Sequence, residues 1–354
     1  MKKLLALLLA GTMALSMVGC MSSADLDELD AALDVANEEL DAIIEETEAA
    51  EATEEVVAEA TSGETFSIGI CQLVQHDALD AATQGFMDAV EAAMPGQVTF
   101  DLQNAQGDTP TCATIVNGFV SSEVDLIMAN ATPALQAAIA GTQEIPILGT
   151  SVTEYGVALG IDGFDGLVGG NISGTSDLAP LDEQAAMVAE WFPDAETVGL
   201  LYCSAEANSQ YQVDVIDAYL TEMGYVCSFY PFTDSNDLSS ICMSAADESD
   251  VIYVPTDNTV ASNTGIIDNI CQPAGVPVIA GEEGICGGCG VATLSISYYD
   301  LGYATGNMAV EILANGGDIS TMPIEYSPDF TPKYNETIVA NLGLEAPEGY
   351  EAIG

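Results

Sequence analysis

The pattern of apolar and polar positions changes at Phe66, after which short apolar runs alternate with amphipathic stretches. The apolar runs are typical of buried strands and include FSIGICQLV, VTFDLQ, VDLIMAN and IPILGTSV. The stretches between them have helical spacing and include ALDAATQGFMDAVEAAM, TCATIVNGFV and PALQAAIAG. This alternation predicts βαβ units, and therefore a parallel sheet flanked by helices.

The alternation begins again after a glycine-rich connection and the segment SGTSDLAPLDEQ. Helical spacing is found in LDEQAAMVAEWF, SQYQVDVIDAYLTEMG, LSSICMSAAD and TGIIDNICQPAG, and strand-like apolar runs are TVGLLYC, YVCSFYPF, DVIYV and VPVIAG. A chain of 354 residues has the length of about two domains. The sequence therefore predicts an α/β protein with two lobes.

Polar turns follow the strands of both predicted lobes. DVIYV is followed at once by PTDNTV, and QHDALD, NATPAL, TSVT and SAEANSQ follow four other strands. Any one of these turns is explained by the preference of Ser, Thr, Asn and Asp for helix N-caps. Because parallel α/β sheets bind ligands at the carboxyl ends of their strands, the whole set predicts a cleft between the lobes. The predicted ligand-binding residues are Gln75, His76, Thr132, Thr150, Ser151, Glu206, Asn208, Ser209, Asp257, Asn258 and Thr259.

The first twenty residues have the three regions of an export signal. Lys2 and Lys3 precede the run LLALLLAG, which is too short for a membrane span of about 20 residues. Met17–Cys20 resembles a bacterial lipobox, so Cys20 is predicted to carry the lipid that anchors the chain to the outer face of the bacterial cell membrane. Ordinary secretion with cleavage nearby is the alternative.

Residues 21–63 are rich in Asp and Glu, contain no Lys, and have no Gly or Pro before Gly63. Leucines at three-four spacing permit a helix, but repulsion between neighbouring acids opposes it. We therefore predict a solvated acidic tether between the anchor and the folded part.

The charge of the chain restricts its partners. There are 56 acidic residues, and the three basic residues are Lys2, Lys3 and Lys333. Nucleic acids and anionic membrane surfaces are bound through clustered Lys and Arg, so neither is an expected partner. Anionic ligands are disfavoured for the same reason, since carboxylates are usually held by Arg. Zwitterionic, neutral and cationic ligands remain.

No cofactor, metal ion or catalytic residue is predicted. His76 is the only histidine, and the G-x-S-x-G, P-loop and H-E-x-x-H motifs are missing, which leaves an enzyme as a minor alternative. With Cys20 assigned to lipid, the even number of other cysteines permits disulfides without specifying their pairing. Cys286-Gly287-Gly288-Cys289 could be a strained disulfide, a redox pair or half a thiolate metal site; in its Gly-rich loop a structural or incidental role is predicted.

Segments spread in order between Phe66 and Gly343 carry a resemblance to a known family. They are IGICQLVQHDALDAATQGF, VTFDLQNAQGD, VDLIMANATPALQAA, GGNISGTSDLAP, TVGLLYCSAEANS, YVPTDNTV, SYYDLGYATGNMAVEIL and MPIEYSPD. This part of the chain resembles the tryptophan/tyrosine-type substrate-binding lipoproteins of bacterial ABC transporters, a branch of the type I periplasmic binding proteins. The resemblance implies two Rossmann-like lobes, a three-stranded hinge, closure on a small ligand, and delivery of that ligand to a permease with a cytoplasmic ATPase.

The resemblance also implies lobe boundaries and a class of ligand. Lobe 1 would contain 66–180 plus about 296–322, and lobe 2 would contain 181–295 plus about 323–354. For an aromatic or large apolar amino acid, the helix start at Asn130–Pro133 would receive the carboxylate, and Asp257, with Glu206 in reserve, the ammonium. Gln75 and His76 would shape the side-chain pocket. A ligand-sensing module, or a nucleoside or sugar as ligand, are the alternatives.

Overall fold

The computed structural model describes residues 65–353. The predicted signal peptide, the predicted lipidation site Cys20 and the predicted tether at 21–63 lie outside this range, as does Gly354. Within residues 65–353, no helix combines the length and the apolar character that a membrane span requires.

The strands of the described range form two sheets. The strands are β1 Phe66–Gln72, β2 Val98–Asn104, β3 Leu126–Asn130, β4 Ile147–Val152, β5 Ile172–Ser176, β6 Thr197–Cys203, β7 Val226–Phe232, β8 Val251–Val254, β9 Val278–Ala280, β10 Ala292–Ser295, β11 Glu325–Tyr326, β12 Thr331–Tyr334 and β13 Glu351–Ala352. The first sheet has the order β11-β5-β4-β3-β1-β2 and is parallel throughout. The second has the order β13-β12-β10-β9-β8-β6-β7 and is parallel except for the antiparallel pair β10 and β12.

Helices connect the strands and cover the sheets. They are α1 Asp77–Ala93, α2 Thr109–Ser121, α3 Thr132–Gly141, α4 Tyr155–Leu159, α5 Leu181–Trp191, α6 Ala207–Met223, α7 Ser235–Glu248, α8 Asn258–Ala261, α9 Thr264–Ala274, α10 Glu283–Cys289, α11 Tyr298–Leu313 and α12 Glu336–Asn341, with a 3-10 turn at Ile319–Thr321. Lobe 1 contains the first sheet with α1–α4 and α11, and lobe 2 contains the second sheet with α5–α10 and α12.

The central strands are the apolar runs of the sequence, and they are buried on both faces. Every residue of β3 and of β8 is buried, as expected for parallel strands with helices on each side of the sheet. Full burial of one Leu, Ile or Val side chain contributes about 1.5–3 kcal/mol. These runs therefore hold each sheet between its helices, and the polar turns that follow them lie at the sheet edge.

The chain passes between the lobes three times within the described range. The passages are 177–180 between β5 and α5, 296–297 between β10 and α11, and 327–330 between β11 and β12. The lobe boundary expected near 322 lies further along the chain, because β11 pairs with β5 in the first sheet. This two-residue strand is held by backbone pairing at a sheet edge and has no apolar pattern of its own.

Strand β5 occupies part of a segment for which the sequence predicts only a glycine-rich connection. Its residues, ISGTS, are mostly small and polar, so they lack the apolar run by which the other strands are recognised. Gly174 in this strand has φ of +146°, and a Cβ atom there would lie 2.1 Å from the backbone oxygen of Gly149. Only glycine permits this approach of β5 to β4.

The cysteine pair predicted to lie in a glycine-rich loop is helical instead. Cys286 and Cys289 belong to α10, and both are buried. The eight cysteines of the described range are free thiols. Seven of these eight side chains are buried and Cys227 is partly exposed, so in this arrangement they pack as small apolar side chains.

Helix α11 returns to lobe 1 and crosses α1 at a distance that only glycines allow. A Cβ atom on Gly302 would lie 1.9 Å from the backbone oxygen of Ala82, and one on Gly306 would lie 2.6 Å from the backbone oxygen of Phe86. Gly85 on α1 makes the reciprocal contact, since its Cβ atom would lie 2.0 Å from the backbone oxygen of Tyr299. The contact fixes α11 directly after the second passage between the lobes.

Replacing Gly302 with alanine is expected to destabilise the protein although alanine is the better helix former. Overpacking of this kind costs about 1–3 kcal/mol or more, because two backbones cannot separate without disturbing both helices. Gly118→Ala is the matched control, since Gly118 is an exposed glycine inside α2 with open space at its Cβ position. Thermal unfolding should show a lower Tm for Gly302→Ala and an unchanged or higher Tm for Gly118→Ala. Equal Tm values would contradict the close crossing.

Candidate ligand site between the lobes

A small cavity lies between the lobes, at the carboxyl ends of strands from both sheets. Its lobe 1 side is lined by His76, Leu79, Ser151, Thr153 and Asp177, near the ends of β1, β4 and β5. Its lobe 2 side is lined by Asn208, Thr256, Asp257, Asn258, Ala261 and Glu282, near the ends of β6, β8 and β9, and Tyr298 at the start of α11 completes it. Ligands of parallel α/β sheets bind at this position.

The cavity is small because the lobes are in contact around it. Helix α4 packs against α6, and α1 packs against α10. About 10 Å³ remains in which the centre of a water molecule can lie, which is room for about one water-sized group. An open groove of about 1250 Å³ shares His76, Ala261, Glu282 and Tyr298 with the cavity. A larger ligand must extend into this groove or hold the lobes further apart.

The turn after β8 is held in place by Glu206, which lies just before α6. One carboxylate oxygen of Glu206 accepts the side-chain amide of Asn258 at 2.7 Å and its backbone N–H at 3.1 Å. The other accepts the backbone N–H of Thr259 at 2.9 Å and its hydroxyl at 2.8 Å. Glu206 therefore joins the ends of β6 and β8, and both of its oxygens already accept hydrogen bonds from within the protein.

Asp257 has a similar internal role. One oxygen accepts the backbone N–H of Cys203 at 2.7 Å, and the other caps α8 by accepting the backbone N–H of Val260 at 2.9 Å. Burial first, and then the nearby charge of Glu206, raise the pKa of Asp257 to about 7. Asp257 lines the cavity, but both of its oxygens are already bound to backbone donors.

His76 makes a hydrogen bond across the cleft to the amide of Asn258. The distance from His76 Nε2 to Asn258 Oδ1 is 3.2 Å. Since the Nδ2 group of Asn258 donates to Glu206, its Oδ1 atom must accept, and His76 Nε2 therefore donates. Burial lowers the pKa of His76, although the hydrogen bond to Asn258 and the charge of Glu206 oppose this. A neutral His76 joins lobe 1 to the turn of lobe 2.

Asp177 and Glu282 are buried carboxylates on opposite sides of the cavity. Asp177 Oδ2 accepts the hydroxyl of Tyr298 at 2.9 Å, and this bond joins the first and second passages between the lobes. The oxygens of Glu282 accept the backbone N–H groups of Gly284 and Ile285 at the start of α10, at 2.7 and 2.5 Å. Burial is the largest cause that raises the pKa of Asp177, and burial raises the pKa of Glu282 to about 7.

Three residues of the cavity wall carry buried polar atoms with no hydrogen-bond partner in the described part of the chain. The atoms are Ser151 Oγ, Asp177 Oδ1 and Asn208 Oδ1. Buried polar atoms are nearly always hydrogen-bonded, and an unmade bond costs about 1–3 kcal/mol for a neutral group and more for a charged one. Their presence around one small cavity, on both its lobe 1 and its lobe 2 sides, indicates a site that a polar ligand completes.

The backbone at Ser151 is strained where it meets the cavity. Its φ of +53° lies in the left-handed region, which costs a residue other than glycine about 1–3 kcal/mol. Ala131, after the neighbouring strand β3, has φ of +90°. Such strain is concentrated at binding sites, where the surrounding fold maintains it.

The structure brings some of the predicted ligand-binding residues to the cavity and leaves others away from it. Those that line the cavity are His76, Ser151, Asn208, Asp257 and Asn258. Gln75 lines the groove. Glu206 and Thr259 support the turn after β8, whereas Thr132, Thr150 and Ser209 are buried outside the cavity lining. Asn130 donates to the backbone oxygen of Leu79 at 2.8 Å, inside lobe 1, so the helix start at Asn130–Pro133 is not part of the cavity wall.

The residues that the sequence did not reveal lie mainly at the passages between the lobes. Asp177 follows the unrecognised strand β5, and Tyr298 begins a helix after the second passage. Glu282 follows β9, whose apolar run was recognised, so the same rule of polar residues at strand ends would have found it. Thr153 belongs to the predicted turn TSVT.

The buried acids of the cavity have no cationic partner in the described range. Lys333 is the single Lys or Arg among residues 65–353, and its ammonium lies 2.6 Å from Glu283 Oε2. Glu283 is also bound by the hydroxyl of Ser295. The charge balance at Asp177, Asp257 and Glu282 therefore depends on protons or on a ligand.

Metal binding has no support in the described range. No group of three or more His, Cys, Asp or Glu residues between 65 and 353 is arranged to hold a metal ion. The acids of the cavity mostly accept backbone N–H groups, which compete with coordination.

Comparison with known proteins identifies the family. The model of a family described as ABC transporter substrate binding protein matches residues 67–351. The chain belongs to this family. It is also 35% identical over 285 residues to a tyrosine-binding protein of Clostridioides difficile strain R20291, a match that covers 79% of this chain and 81% of that protein. The predicted fold class, two α/β lobes with parallel sheets and a cleft between them, is confirmed.

Two solved structures are similar to this substrate-binding protein over most of its length. An ABC domain from Streptococcus pneumonia in complex with L-Trp is 29% identical, has a TM-score of 0.77, and covers 82% of this chain and 100% of its own. The ligand-free, open structure of a substrate-binding protein with adhesive properties from Clostridium difficile is 40% identical but has a TM-score of only 0.63, with coverage of 82% and 99%.

Proposed function

We propose that this protein binds one aromatic amino acid in the cleft between its lobes, outside the cytoplasm, and presents it to the permease of an ABC importer. Closure of the lobes around the ligand is the conformational signal, and no chemical step takes place. The relatives that are named for tyrosine or solved with L-Trp support an aromatic ligand. Closure must come from a higher affinity of the ligand for the closed arrangement.

The observation that carries the proposal is the set of three unpartnered buried atoms, Ser151 Oγ, Asp177 Oδ1 and Asn208 Oδ1. The ammonium of an amino acid would donate to Asp177, which has no cation beside it, and to Asn208. This assignment replaces Asp257 and Glu206, because their oxygens already accept backbone and side-chain donors. A charge-assisted bond from the ligand offsets the cost of burying Asp177.

The aromatic side chain of the ligand would extend from the cavity towards the groove. Tyr298 and His76 lie on the wall that the cavity and groove share, and Leu79 lies on the cavity wall. These side chains offer planar and apolar surface for a ring. A ligand in this position contacts both lobes, so its removal would weaken the closed arrangement.

Thermal unfolding of the mature protein against panels of amino acids, nucleosides and sugars tests the ligand class. L-Tyr or L-Trp at about 100 times its Kd should stabilise the folded form by about 2.7 kcal/mol and raise Tm by roughly 5–10 °C. Isothermal titration should give one ligand per chain. A shift with sugars or nucleosides and none with amino acids would contradict the proposal.

We further propose that Cys20 carries a lipid and that residues 21–63 tether the folded part to the outer face of the membrane. The support is the sequence of Met17–Cys20 and the acidic composition that follows. Cells grown with a radiolabelled fatty acid should yield labelled protein, and Cys20→Ala should abolish the label. Cys71→Ala is the matched control, because Cys71 is buried in β1 and inaccessible to acylation. Label retained in Cys20→Ala would exclude this anchor.

A further inference from the structure

The unpartnered atoms of the cavity are complementary to a cation rather than to a carboxylate. Asn208 Oδ1 is an amide oxygen and can only accept hydrogen bonds. Asp177 Oδ1 is likewise only an acceptor in the ionised carboxylate, whereas Ser151 Oγ can accept as well as donate. A primary ammonium presents three N–H donors, which equals the number of these atoms. Recognition of a carboxylate would instead require donors, and among these three side-chain atoms only Ser151 Oγ can donate.

Most side-chain donors around the cavity are already committed to the protein, and the hydroxyl of Thr153 lies beside Asp177, where it lowers the pKa of that carboxyl against the larger raising effect of burial. Asn208 Nδ2 donates to the backbone oxygen of Thr256 at 3.1 Å, and Asn258 Nδ2 donates to Glu206 at 2.7 Å. The hydroxyl of Tyr298 donates to Asp177 at 2.9 Å. His76 Nε2 is bound to Asn258 Oδ1. Ser151 Oγ is therefore the one donor-capable atom among the three unpartnered atoms of the cavity wall.

The size of the cavity and the negative charge around it both indicate an ammonium group. The cavity has room for about one water-sized group, and an ammonium has this size. A zwitterion leaves the net charge of the closed site unchanged, whereas an amine without a carboxylate would neutralise one buried acid. Since Lys333 is paired with Glu283, no other cation of the described range performs this neutralisation.

We infer that the primary ammonium is the recognised group of the ligand and that the protein also binds aromatic primary amines that lack a carboxylate. The inference rests on the proposed function, because it uses the same cavity and the same placement of the ligand's aromatic ring towards the groove. It extends the ligand class from amino acids to cationic arylalkylamines. Asp177 is the residue that determines this specificity.

A matched ligand series on the mature protein tests the inference by isothermal titration and thermal shift. L-Tyr carries both charged groups, tyramine and L-tyrosinamide retain the amine without the carboxylate, and 3-(4-hydroxyphenyl)propionate retains the carboxylate without the amine. The L-Trp, tryptamine and indole-3-propionate series repeats the comparison with a larger ring. We expect each amine to bind within about tenfold of its amino acid and each acid to bind at least about 100-fold more weakly, since an unpaired buried charge would remain.

The outcomes separate this inference from the proposed function. If an amino acid binds and its amine is more than about tenfold weaker, a carboxylate contact determines recognition, and the inference is overturned while the proposed function stands. If amines bind and amino acids do not, the inference is supported and the amino acid ligand is wrong. If neither class binds, both fail. Because the series uses the wild-type chain, no outcome depends on whether a variant folds.

A pair of charge-matched variants adds a control on the position of the cation. Asp177→Asn should weaken tyramine and L-Tyr by a similar factor of about 100. Asp182→Asn removes the same charge from an exposed position at the start of α5, five residues away, and should leave both affinities unchanged. Equal losses in the two variants would mean that the overall negative field, and not Asp177, attracts the ligand.

Discussion

Asp177→Asn is expected to lower the affinity for L-Tyr or L-Trp by about 100-fold or more without destabilising the unliganded protein. Asp177 is a buried carboxylate with one hydrogen-bonded oxygen and one oxygen without a partner in the described part of the chain. Its charge is costly in the free protein and favourable once an ammonium is beside it. Asparagine keeps the shape and an acceptor for Tyr298, so Tm should stay unchanged or rise. Titration and thermal unfolding measure the two effects separately.

Asp257→Asn is the informative counterpart because Asp257 lines the same cavity but accepts two backbone N–H groups. An amide has one oxygen, so one of these donors would face an NH₂ group and lose its bond. We expect a loss of about 1–3 kcal/mol in the free energy of unfolding and a lower Tm. A variant pair in which Asp257→Asn abolishes binding at unchanged Tm, while Asp177→Asn binds normally, would reverse the two roles.

Acidification is expected to favour the closed arrangement of the unliganded protein. It is also expected to lower the affinity for the ligand. Asp177, Asp257 and Glu282 are buried where the lobes meet, and burial raises the pKa of each, to about 7 for Asp257 and Glu282. We expect all three to become more exposed when the lobes separate. Below the ordinary carboxyl pKa these groups are protonated in both arrangements, so closure carries no charge penalty. As pH rises through about 7 the closed form must ionise them in a buried place, and its advantage is lost.

Small-angle scattering of the unliganded mature protein measures this effect. The radius of gyration should be smaller at pH 5 than at pH 8, and L-Tyr or L-Trp should close the lobes at pH 8. Ligand affinity should decrease as the pH is lowered and Asp177 takes up a proton, because a neutral carboxyl no longer pairs with an ammonium. The lowered pKa of His76 acts in the opposite direction, since burial in the closed form disfavours its protonation.

Glu282→Gln is the matched control for the pH dependence. It removes one of the three titrating groups and retains an oxygen that can accept a backbone N–H at the start of α10. The change in the radius of gyration between pH 5 and pH 8 should be smaller in this variant than in the wild type. The other acids titrate in both proteins, so the difference between the two profiles comes from Glu282. An identical pH profile would show that Glu282 does not control closure.

The binding residues were predicted best where an apolar strand precedes a polar turn. DVIYV followed by PTDNTV led to Asp257 and Asn258, and both line the cavity. The same rule led to Glu206, which lies beneath the turn because helix starts and strand ends provide many backbone donors that attract a nearby carboxylate. A position at a strand end therefore predicts proximity to the cleft, but not whether a side chain contacts a ligand or supports the loop.

The sequence by itself determined the two-lobed α/β architecture, because strand-like apolar runs alternate with helical amphipathic stretches in one series from Phe66 and in a second series after SGTSDLAPLDEQ. It also disfavoured anionic ligands as a class, since no arginine and one lysine remain beyond the first residues. Only the tertiary structure decided which acid lacks a partner. Asp177 follows a strand of small polar residues and meets Tyr298 and Asn208 from distant parts of the chain. Hydrogen-bond satisfaction depends on such long-range contacts, and no local pattern in the sequence records them.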